Sequence, residues 1–365
     1  MEIELDWCAP VSGDGAQLGL PAWERPPSLD YVVSVFETAA RHGFRYVLLG
    51  TGFDNHVLEG WTLASAVLAR TTGIGAMVAV RPGFFNAPVL AKMAGTLDTI
   101  SGGRLSLNVV SGGRVHEQAM FGDYLDHDAR YRRTREFVEV CRRLWTSDAP
   151  FDFEGEFHRL KRTHLEGKPL TPGGPLVYFG GASPIAEIVG AEIADTYLLW
   201  GETLGQTEER LRRMRFLAAQ GGRLDRMRFG VRMNVITRDT EAEAREWARW
   251  LVLPIADERR RRARERDLTK TERDSVGQKR QWQLLAEADD ELYVEPLLWA
   301  GVSVVRSGAG MTLVGSHDQI ADRLLAYARL GASVFVLSGY PHLEECERFG
   351  REVAPRLRER AAALR

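Results

Sequence analysis

Polar side chains stand at the predicted carboxyl ends of four different strands. They are Asn108, Trp200, Arg232, Asn234 and Tyr340. A further cation, Arg306, follows in the glycine-rich segment RSGAG. Because arginine keeps its charge, Arg232 and Arg306 would suit an anionic group or a developing negative charge. Any one of these residues could equally be a packing residue, but several strand ends meeting at one rim are typical of a barrel active site.

A second pattern is the segment VYFGGASPIAEI, Val177 to Ile188. A strand ends in two glycines, and a helix opens at Ser183 with proline at its first position. Backbone N–H groups at such a helix start form a site suited to a phosphate. The alternative is a tight turn with an ordinary serine cap, but two successive glycines favour the phosphate. The candidate residues are Gly180, Gly181, Ala182 and Ser183.

The stretch from Arg104 to Phe137 joins a third set of candidates. A β-branched run breaks into Ser111-Gly112-Gly113, where glycine lets the backbone approach another group closely. The following HDARY places His127 and Tyr131 four positions apart, which is one face of a helix. We therefore expect a strand that opens into a cofactor site.

Several common chemistries lack their motifs. No GxGxxG follows a strand and no Walker lysine motif is present, so a mononucleotide fits better than a dinucleotide or a nucleoside triphosphate. The eight histidines show no metal-binding spacing, and we predict no metal site. No GxSxG supports serine hydrolysis.

Composition narrows the class of partners. The 365 residues carry a net charge of −2, so no global field attracts nucleic acid or an anionic membrane. The basic run ERRRRARER is interleaved with acids, and a solvated helix face explains it better than nucleic-acid binding does. The three cysteines form no CxxC pair, and no signal peptide or membrane span is visible. We expect a cytoplasmic protein.

Alternating apolar runs and helical patterns predict the fold. Eight strands are expected near residues 2–9, 44–49, 73–80, 104–109, 176–179, 196–200, 229–236 and 333–337. Helices are expected near 28–42, 58–70, 87–100, 129–145, 184–194, 207–219, 241–253, 317–330 and 344–364. This alternation favours an α/β fold, a single (β/α)8 TIM barrel domain over residues 1–365, although a doubly wound open sheet gives similar local patterns.

Two insertions over the carboxyl face depart from a minimal barrel. Residues 149–175 combine FDFEGEF with a Pro/Gly-rich stretch, which predicts a small hairpin and a connector. Residues 254–312 form the longer insertion. Long irregular insertions on this face of a barrel are frequently lids, so we expect a mobile lid that delivers Arg306 to a closed site.

Eight motifs in order resemble one family. They are NVVSGG, HDARY, YFGGAS, LLWGE, RDSVGQ, LWAGV, VVRSGAG and LSGYPHLEE. Together they resemble the bacterial luciferase-like, reduced-flavin-dependent monooxygenases, and most closely the alkanesulfonate monooxygenase branch. The resemblance implies a two-component enzyme that takes reduced FMN (FMNH2) from a separate NAD(P)H:flavin reductase and forms a flavin peroxide with O2. In this branch, cleavage of the C–S bond of the sulfonate gives two products, an aldehyde and sulfite. It also implies a homodimer or homotetramer.

The same resemblance assigns the candidate residues to roles. Asn108 and Ser111 match positions near the flavin ring. His127, Tyr131 and Gly180 through Ser183 match the flavin phosphate region. The substrate and oxygenation pocket would hold Trp200, Arg232, Arg306 and Tyr340, and Asn234 would orient the substrate.

Three departures from the branch concern its substrate. Ser12 and Asn234 replace two histidines, and the stretch TGFDNHVLEGW lacks the branch's cysteine and carries Asn55 and His56 instead. Loss of groups that titrate near neutrality should alter proton transfer or substrate choice, although His56 could restore one base. The expected substrate is a small organosulfur compound, a sulfonate. The alternatives are a sulfone or a specialised metabolite, a deazaflavin-dependent dehydrogenase, or a non-catalytic flavin-binding barrel.

Overall fold

The computed structural model describes residues 2–20, 22–53, 57–255, 257, 263 and 275–363. Its strands are β1 (Glu4–Cys8), β2 (Tyr46–Leu49), β3 (Gly75–Val80), β4 (Leu105–Val109), β5 (Phe151–Glu154), β6 (Arg159–Thr163), β7 (Leu176–Phe179), β8 (Thr196–Trp200), β9 (Arg228–Arg238), β10 (Tyr293–Glu295), β11 (Leu298–Trp299), β12 (Thr312–Ser316) and β13 (Val334–Ser338). All eight strands predicted from the sequence are present.

These eight strands form a closed parallel barrel. The order β1-β2-β3-β4-β7-β8-β9-β13 returns to β1, and every neighbouring pair is parallel. Closure of β13 onto β1 confirms the (β/α)8 barrel and excludes the open doubly wound sheet.

Helices alternate with the barrel strands. They are α1 (Leu29–Arg41), α2 (Gly60–Arg70), α3 (Ala87–Ser101), α4 (Val115–Met120), α5 (His127–Thr146), α6 (Pro184–Ile193), α7 (Leu204–Gln220), α8 (Glu241–Leu251), α9 (Val276–Glu287), α10 (His317–Leu330), α11 (His342–Glu352) and α12 (Ala354–Ala362). The single terminal helix predicted for 344–364 is wrong, because Pro355 lacks an N–H group and a second helix begins there. The short α4 and the α9 helix were not predicted.

The barrel interior is layered. At the amino-terminal end, Glu4 accepts hydrogen bonds from Arg45, Arg228 and Tyr178. An apolar middle layer of Cys8, Tyr46, Met77, Tyr178, Leu198, Val334 and Val336 lies above it. Because strand side chains alternate between the two faces, Asn108, Trp200, Arg232 and Ser338 project inward at the carboxyl end. The barrel therefore has a polar layer at each end, and the one at the carboxyl end holds the candidate residues.

Both insertions are folded where the structure describes them. In the shorter one, β5 and β6 form the predicted antiparallel hairpin, and the Glu136 carboxylate accepts the backbone N–H groups of residues 156–158. In the longer one, α9 and a β10-β11-β12 ribbon follow, and β12 adds to β9 in parallel. Most of ERRRRARER lies outside the described residues. Within the described ranges, no helix is both long and apolar enough to cross a membrane.

Candidate active site

Arg232 and Arg306 lie near each other at the carboxyl end of the barrel. Arg232, on β9, donates from Nη1 to the Met233 carbonyl at 2.7 Å and from Nη2 to Ser338 Oγ at 2.9 Å. The Arg306 guanidinium contacts the Tyr340 hydroxyl and lies over the Tyr340 ring, 5.5 Å from its centroid. Burial and the positive charge of Arg232 lower the pKa of Arg306. The structure therefore brings these three predicted residues together.

Neither of these arginines has a carboxylate partner among the described residues. Other arginines of the barrel, buried or half-buried, do: Arg81 pairs with Glu117 at 2.5 Å, Arg210 with Glu202 at 3.3 Å, and Arg238 with Glu345 at 2.9 Å. Two neighbouring cations without a counterion repel each other and favour an anionic ligand. Arg306 keeps solvent-accessible surface and Arg232 is half-buried, so solvent can reach the pair.

The thiol of Cys8, in the apolar middle layer, lies within electrostatic reach of both arginines. Burial raises its pKa, and the positive charges of Arg232 and Arg306 oppose this effect only in part. The thiol is therefore protonated at neutral pH and gives the site no anion.

Asn234 holds the loop that carries Arg306. Its amide donates to the Ala309 carbonyl at 3.0 Å and to the Met311 carbonyl at 3.4 Å, and its oxygen accepts from Ser338 at 2.6 Å. The side chain is 2% exposed. Both amide N–H groups are thus engaged within the protein, and in this structure Asn234 holds the loop; its predicted contact with a substrate stays a prediction.

Two glutamines of α9 hold the same loop. Gln278 accepts from the Gly308 N–H at 2.7 Å, and Gln281 accepts from the Gly310 N–H at 3.0 Å. Gln281 also donates to the Gly201 carbonyl at 2.8 Å, beyond β8. In this structure the loop is docked on α9 and on the barrel, and its predicted mobility stays a prediction.

The phosphate candidates are also close together. His127 and Tyr131 stack with ring centroids 4.9 Å apart, which confirms their shared helix face. The Tyr131 hydroxyl lies 3.4 Å from the position of a Cβ added to Gly181. Ser183 caps α6 and accepts from the Ala186 N–H at 3.4 Å, as predicted. The start of α5 and the turn after β7, both selected from the sequence, thus meet at one place.

The two glycines, however, have a packing explanation. A Cβ on Gly180 would lie 2.5 Å from the Leu198 carbonyl oxygen, and one on Gly181 would lie 2.4 Å from the Ala186 Cβ. Contacts below 3.0 Å are not tolerated, so both positions require glycine without any ligand. The glycine pair is therefore no argument for a phosphate, contrary to the sequence reasoning.

The turn after β4 has unused hydrogen-bonding groups. The Asn108 amide has no hydrogen-bond partner among the described residues. Gln118 Nε2 is buried without a partner and lies 1.7 Å from where a Cβ on Gly112 would be. Ser111 is buried and its Oγ is 2.9 Å from Thr134 Oγ1. The Asn108 amide and the Gln118 N–H donor lie at a turn made of glycines, where a ligand can approach the backbone. These groups fit the polar edge of a flavin ring.

Trp200 lies under the start of α9. A Cβ added to Gly277 would lie 3.5 Å from the Trp200 ring and 3.8 Å from the Ala182 Cβ. A Cβ on Gly113 would be 2.7 Å from that of Ser275. The first turn of α9 therefore covers the ends of β4, β7 and β8.

A comparison with known families identifies the chain. A family model described as luciferase-like monooxygenase matches residues 4–333. The chain belongs to the luciferase-like monooxygenase family. The match is to the whole family, so membership of the alkanesulfonate branch stays a prediction.

Solved structures share the fold of this luciferase-like chain. A riboflavin lyase (RcaE), solved with modified FMN and riboflavin, has a TM-score of 0.83 at 19% identity, covering 99% of this chain and 92% of that one. The EDTA monooxygenase EmoA from Chelativorans sp. BNC1 has a TM-score of 0.77 at 19% identity, covering 99% of this chain and 95% of that one. A long-chain alkane monooxygenase (LadA) has a TM-score of 0.76 at 19% identity, covering 99% of this chain and 92% of that one. Identity this low shows the fold, whereas substrate must be argued from the site.

The remaining candidates of the luciferase-like chain are less well placed. Ser12 is half-buried in the segment after β1. Asn55 and His56 lie outside the described residues, so their predicted substrate contacts stay predictions. The described residues hold no group of three or more His, Cys, Asp or Glu arranged for a metal ion.

The sequence reasoning missed Asp14 and His342. His342 donates from its backbone N to Asp14 Oδ2 at 2.7 Å, and its Nδ1 is 3.0 Å from Asp14 Oδ1. Asp14 has no exposed surface and His342 is 5% exposed. His342 lies in the motif LSGYPHLEE and Asp14 in the GDG segment, residues 13–15, but only the pairing of these distant segments reveals the two residues as a unit.

We expect the Asp14 carboxylate to stabilise the luciferase-like barrel in a pH-dependent way. Burial raises the pKa of Asp14, but the charge and hydrogen bonds of His342 outweigh this, and the net pKa lies below its ordinary 3.8. The contribution is thus complete above the unfolded-state pKa and is lost as the pH falls through the folded-state pKa. Urea unfolding should show that the wild type has a higher free energy of unfolding than Asp14→Asn. This difference should be constant from about pH 7 to pH 5 and should shrink below about pH 4. A difference that grows on acidification would contradict this.

We also expect Gln281 to control the position of Arg306. Gln281→Leu keeps similar volume but removes the acceptor for Gly310 and the donor to Gly201. Because buried partners are left unsatisfied, the loss should be about 2 kcal/mol of unfolding free energy. Limited proteolysis should cleave at residues 305–311 faster than in the wild type. Gln283→Leu is the matched control, because Gln283 is exposed and its amide donates to Glu287 within α9. This substitution should change neither the unfolding free energy nor the rate of cleavage at residues 305–311.

Proposed function

We propose that this chain is the oxygenase of a two-component system that uses FMNH2 and O2 to oxygenate a small organosulfur anion. We propose a sulfonate as the substrate class. The observation that carries this is the pair Arg232 and Arg306, which lacks a carboxylate in the described part of the chain. A sulfonate has three oxygens and one permanent negative charge, which suits two guanidinium groups.

The residues near the turn after β4 fit the family's flavin. Asn108 and Gln118 would bind the polar edge of the ring, and His127 with Tyr131 would lie at its phosphate end. When bound, reduced flavin supplies two electrons and activates O2 so that one oxygen atom reaches the substrate. Because the chain has no dinucleotide motif, a separate NAD(P)H:flavin reductase would supply the reduced flavin.

The protein side of the reaction is binding, orientation and exclusion of water. Arg232 and Arg306 would hold the sulfonate oxygens, and Tyr340 would fix the direction of the Arg306 guanidinium. Trp200 would form an apolar wall under α9. Docking of the Arg306 loop on Gln278 and Gln281 would keep bulk water from the reacting atoms.

The experiment supplies the protein with FMN, a flavin reductase, NADH and a panel of alkanesulfonates, and measures sulfite and aldehyde. Balanced, a sulfonate R–CH2–SO3⁻ with O2 and FMNH2 gives R–CHO, sulfite, FMN, water and one proton. We expect sulfite in amounts equal to aldehyde. Oxygenated product from a sulfone, but no sulfite from any sulfonate, would sink the sulfonate while keeping the monooxygenase.

A cofactor titration separates the other readings. We expect FMN to quench the intrinsic tryptophan fluorescence and Asn108→Ala to weaken its binding roughly tenfold. Binding of FMN without substrate-dependent O2 consumption would indicate a non-catalytic barrel. Preferred binding of a deazaflavin, with its reduction by an alcohol, would indicate a dehydrogenase.

A further inference from the structure

Asp14 and His342 form a buried pair near Arg306. Asp14 lies in the segment after β1, and His342 is the first residue of α11, after β13. Asp14 accepts from the backbone and Nδ1 of His342 and from the Tyr31 hydroxyl at 2.6 Å. The Asp14 charge also raises the pKa of Arg306, which places the pair within electrostatic reach of the proposed sulfonate site.

The second ring nitrogen of His342 is unused. Among the described residues, Nε2 of His342 has no hydrogen-bond partner. It is also not one of the fully buried polar atoms that lack a partner, so it retains solvent contact. The His342 ring stands edge-on to Tyr340 with centroids 4.9 Å apart, and the Tyr340 hydroxyl contacts Arg306. Asp14 thus orients Nδ1 as a hydrogen-bond donor and leaves Nε2 without a partner in the described part of the chain.

Cleavage of a sulfonate requires a base. Oxygenation of the carbon next to sulfur gives an α-hydroxysulfonate, R–CH(OH)–SO3⁻. In its breakdown the hydroxyl proton goes to a base, the O–H electron pair forms the C=O bond, and the C–S pair leaves on sulfur as sulfite. This step needs neither flavin nor O2. The branch histidines at the positions of Ser12 and Asn234 are absent from this chain, so another imidazole would have to serve.

We propose that His342, oriented by Asp14, is the general base that breaks down the α-hydroxysulfonate to aldehyde and sulfite. This rests on the proposed sulfonate substrate. Arg306 and Arg232 hold the sulfonate, and the hydroxyl of the same molecule faces Nε2 of His342. The proton taken up on Nε2 then leaves to water, since this nitrogen keeps contact with solvent.

The titratable and charged groups around His342 come from four parts of the chain. They are Asp14 with Arg25 after β1, Tyr31 on α1, Arg306 before β12, and Tyr340 and Glu344 around the start of α11. Arg25 and Glu344 pair with each other, so their charges largely cancel at His342. The local balance is one carboxylate, Asp14, against one cation, Arg306.

A purely structural role is the competing explanation, because the same bonds fasten α11 to the GDG segment. His342→Asn separates the two roles, since the asparagine amide can replace Nδ1 as donor to Asp14 but has no base at Nε2. His317→Asn is a matched control. His317 is also a buried histidine at the first position of a helix, and its ring bonds Thr237 and Asp239.

The test uses the full-length protein without flavin and the bisulfite adduct of butanal, 1-hydroxybutanesulfonate, as the probe. Sulfite release is followed with a thiol-reactive dye, and the spontaneous rate is subtracted. We expect the wild type to accelerate breakdown. His342→Asn should lower kcat roughly 100-fold with KM within about twofold, because the substrate still binds but the base is missing. Asp14→Asn should lower kcat about tenfold or more.

His317→Asn should retain the wild-type rate. The proposal is overturned if the wild type does not accelerate breakdown, if His342→Asn matches the wild type, or if His56→Gln alone removes the activity. The flavin-coupled assay of the wild type judges the proposed function separately. If the protein breaks down the adduct but releases no sulfite from any alkanesulfonate, His342 stays the proposed base and the proposed oxygenation is rejected. If it releases sulfite from an alkanesulfonate but does not accelerate adduct breakdown, the oxygenation stands and the base is rejected.

Discussion

Arg306→Ala should lower kcat/KM for sulfite release roughly 100-fold while leaving FMN binding within about threefold of the wild type. The guanidinium is one of the two cations of the site, neither of which has a carboxylate partner among the described residues, and its removal leaves Arg232 alone to hold a sulfonate. The flavin candidates lie instead at the turns after β4 and β7 and at the start of α5. Steady-state sulfite release and fluorescence titration with FMN measure the two quantities independently.

Arg306→Lys is the matched control. Lysine keeps the charge but loses the planar donor pair and the stacking on Tyr340, so we expect about tenfold loss of kcat/KM. If both variants lose FMN affinity as strongly as they lose activity, then Arg306 belongs to the flavin site and the sulfonate assignment is wrong.

Gly180→Ala should destabilise the barrel by roughly 3 kcal/mol and weaken FMN binding. A Cβ at this position would lie 2.5 Å from the Leu198 carbonyl oxygen of the neighbouring strand. Backbone cannot yield as a flexible side chain can, so β7 and β8 would have to separate at the carboxyl end of the barrel. Urea unfolding gives the stability, and the FMN titration reports the displaced turn.

Gly205→Ala provides the comparison. Gly205 lies in the first turn of α7, and a Cβ there would meet nothing within 4 Å. Since alanine favours helix more than glycine, we expect a change between zero and about 1 kcal/mol in the stabilising direction. Equal destabilisation by both substitutions would show that packing against Leu198 is not the cause.

Local patterns in the sequence were sufficient for the barrel. Strand and helix periodicities placed all eight barrel strands, and the helix start at Ser183 is present as predicted. Closure could be expected because eight parallel strands with covering helices satisfy every edge. Pro355 shows the limit of periodicity. The apolar pattern continues across this position, but one helix ends before it and a second begins, because proline has no N–H group to donate.

The site was predicted only as far as it depends on strand ends. Arg232 and Tyr340 follow from the position of polar residues after buried runs, and the helix spacing of His127 and Tyr131 predicted their contact. Asn234 shows what spacing cannot supply: its hydrogen bonds go to a loop about 75 residues away. Likewise the Asp14 and His342 pair joins the two ends of the chain, and no local pattern encodes such a contact.

The eleven-residue strand β9 carries Arg232 in its barrel half and extends beyond the barrel to pair with β12. The register places Thr312 beside Asn234, so the loop bearing Arg306 emerges next to the strand that bears Arg232. The spacing of the two cations is therefore set by the pairing of β9 with β12 and by the docked loop, and not by barrel closure. Segment 305–311 can then be lengthened or exchanged as a unit, which offers a route to ligands of different size on an unchanged barrel.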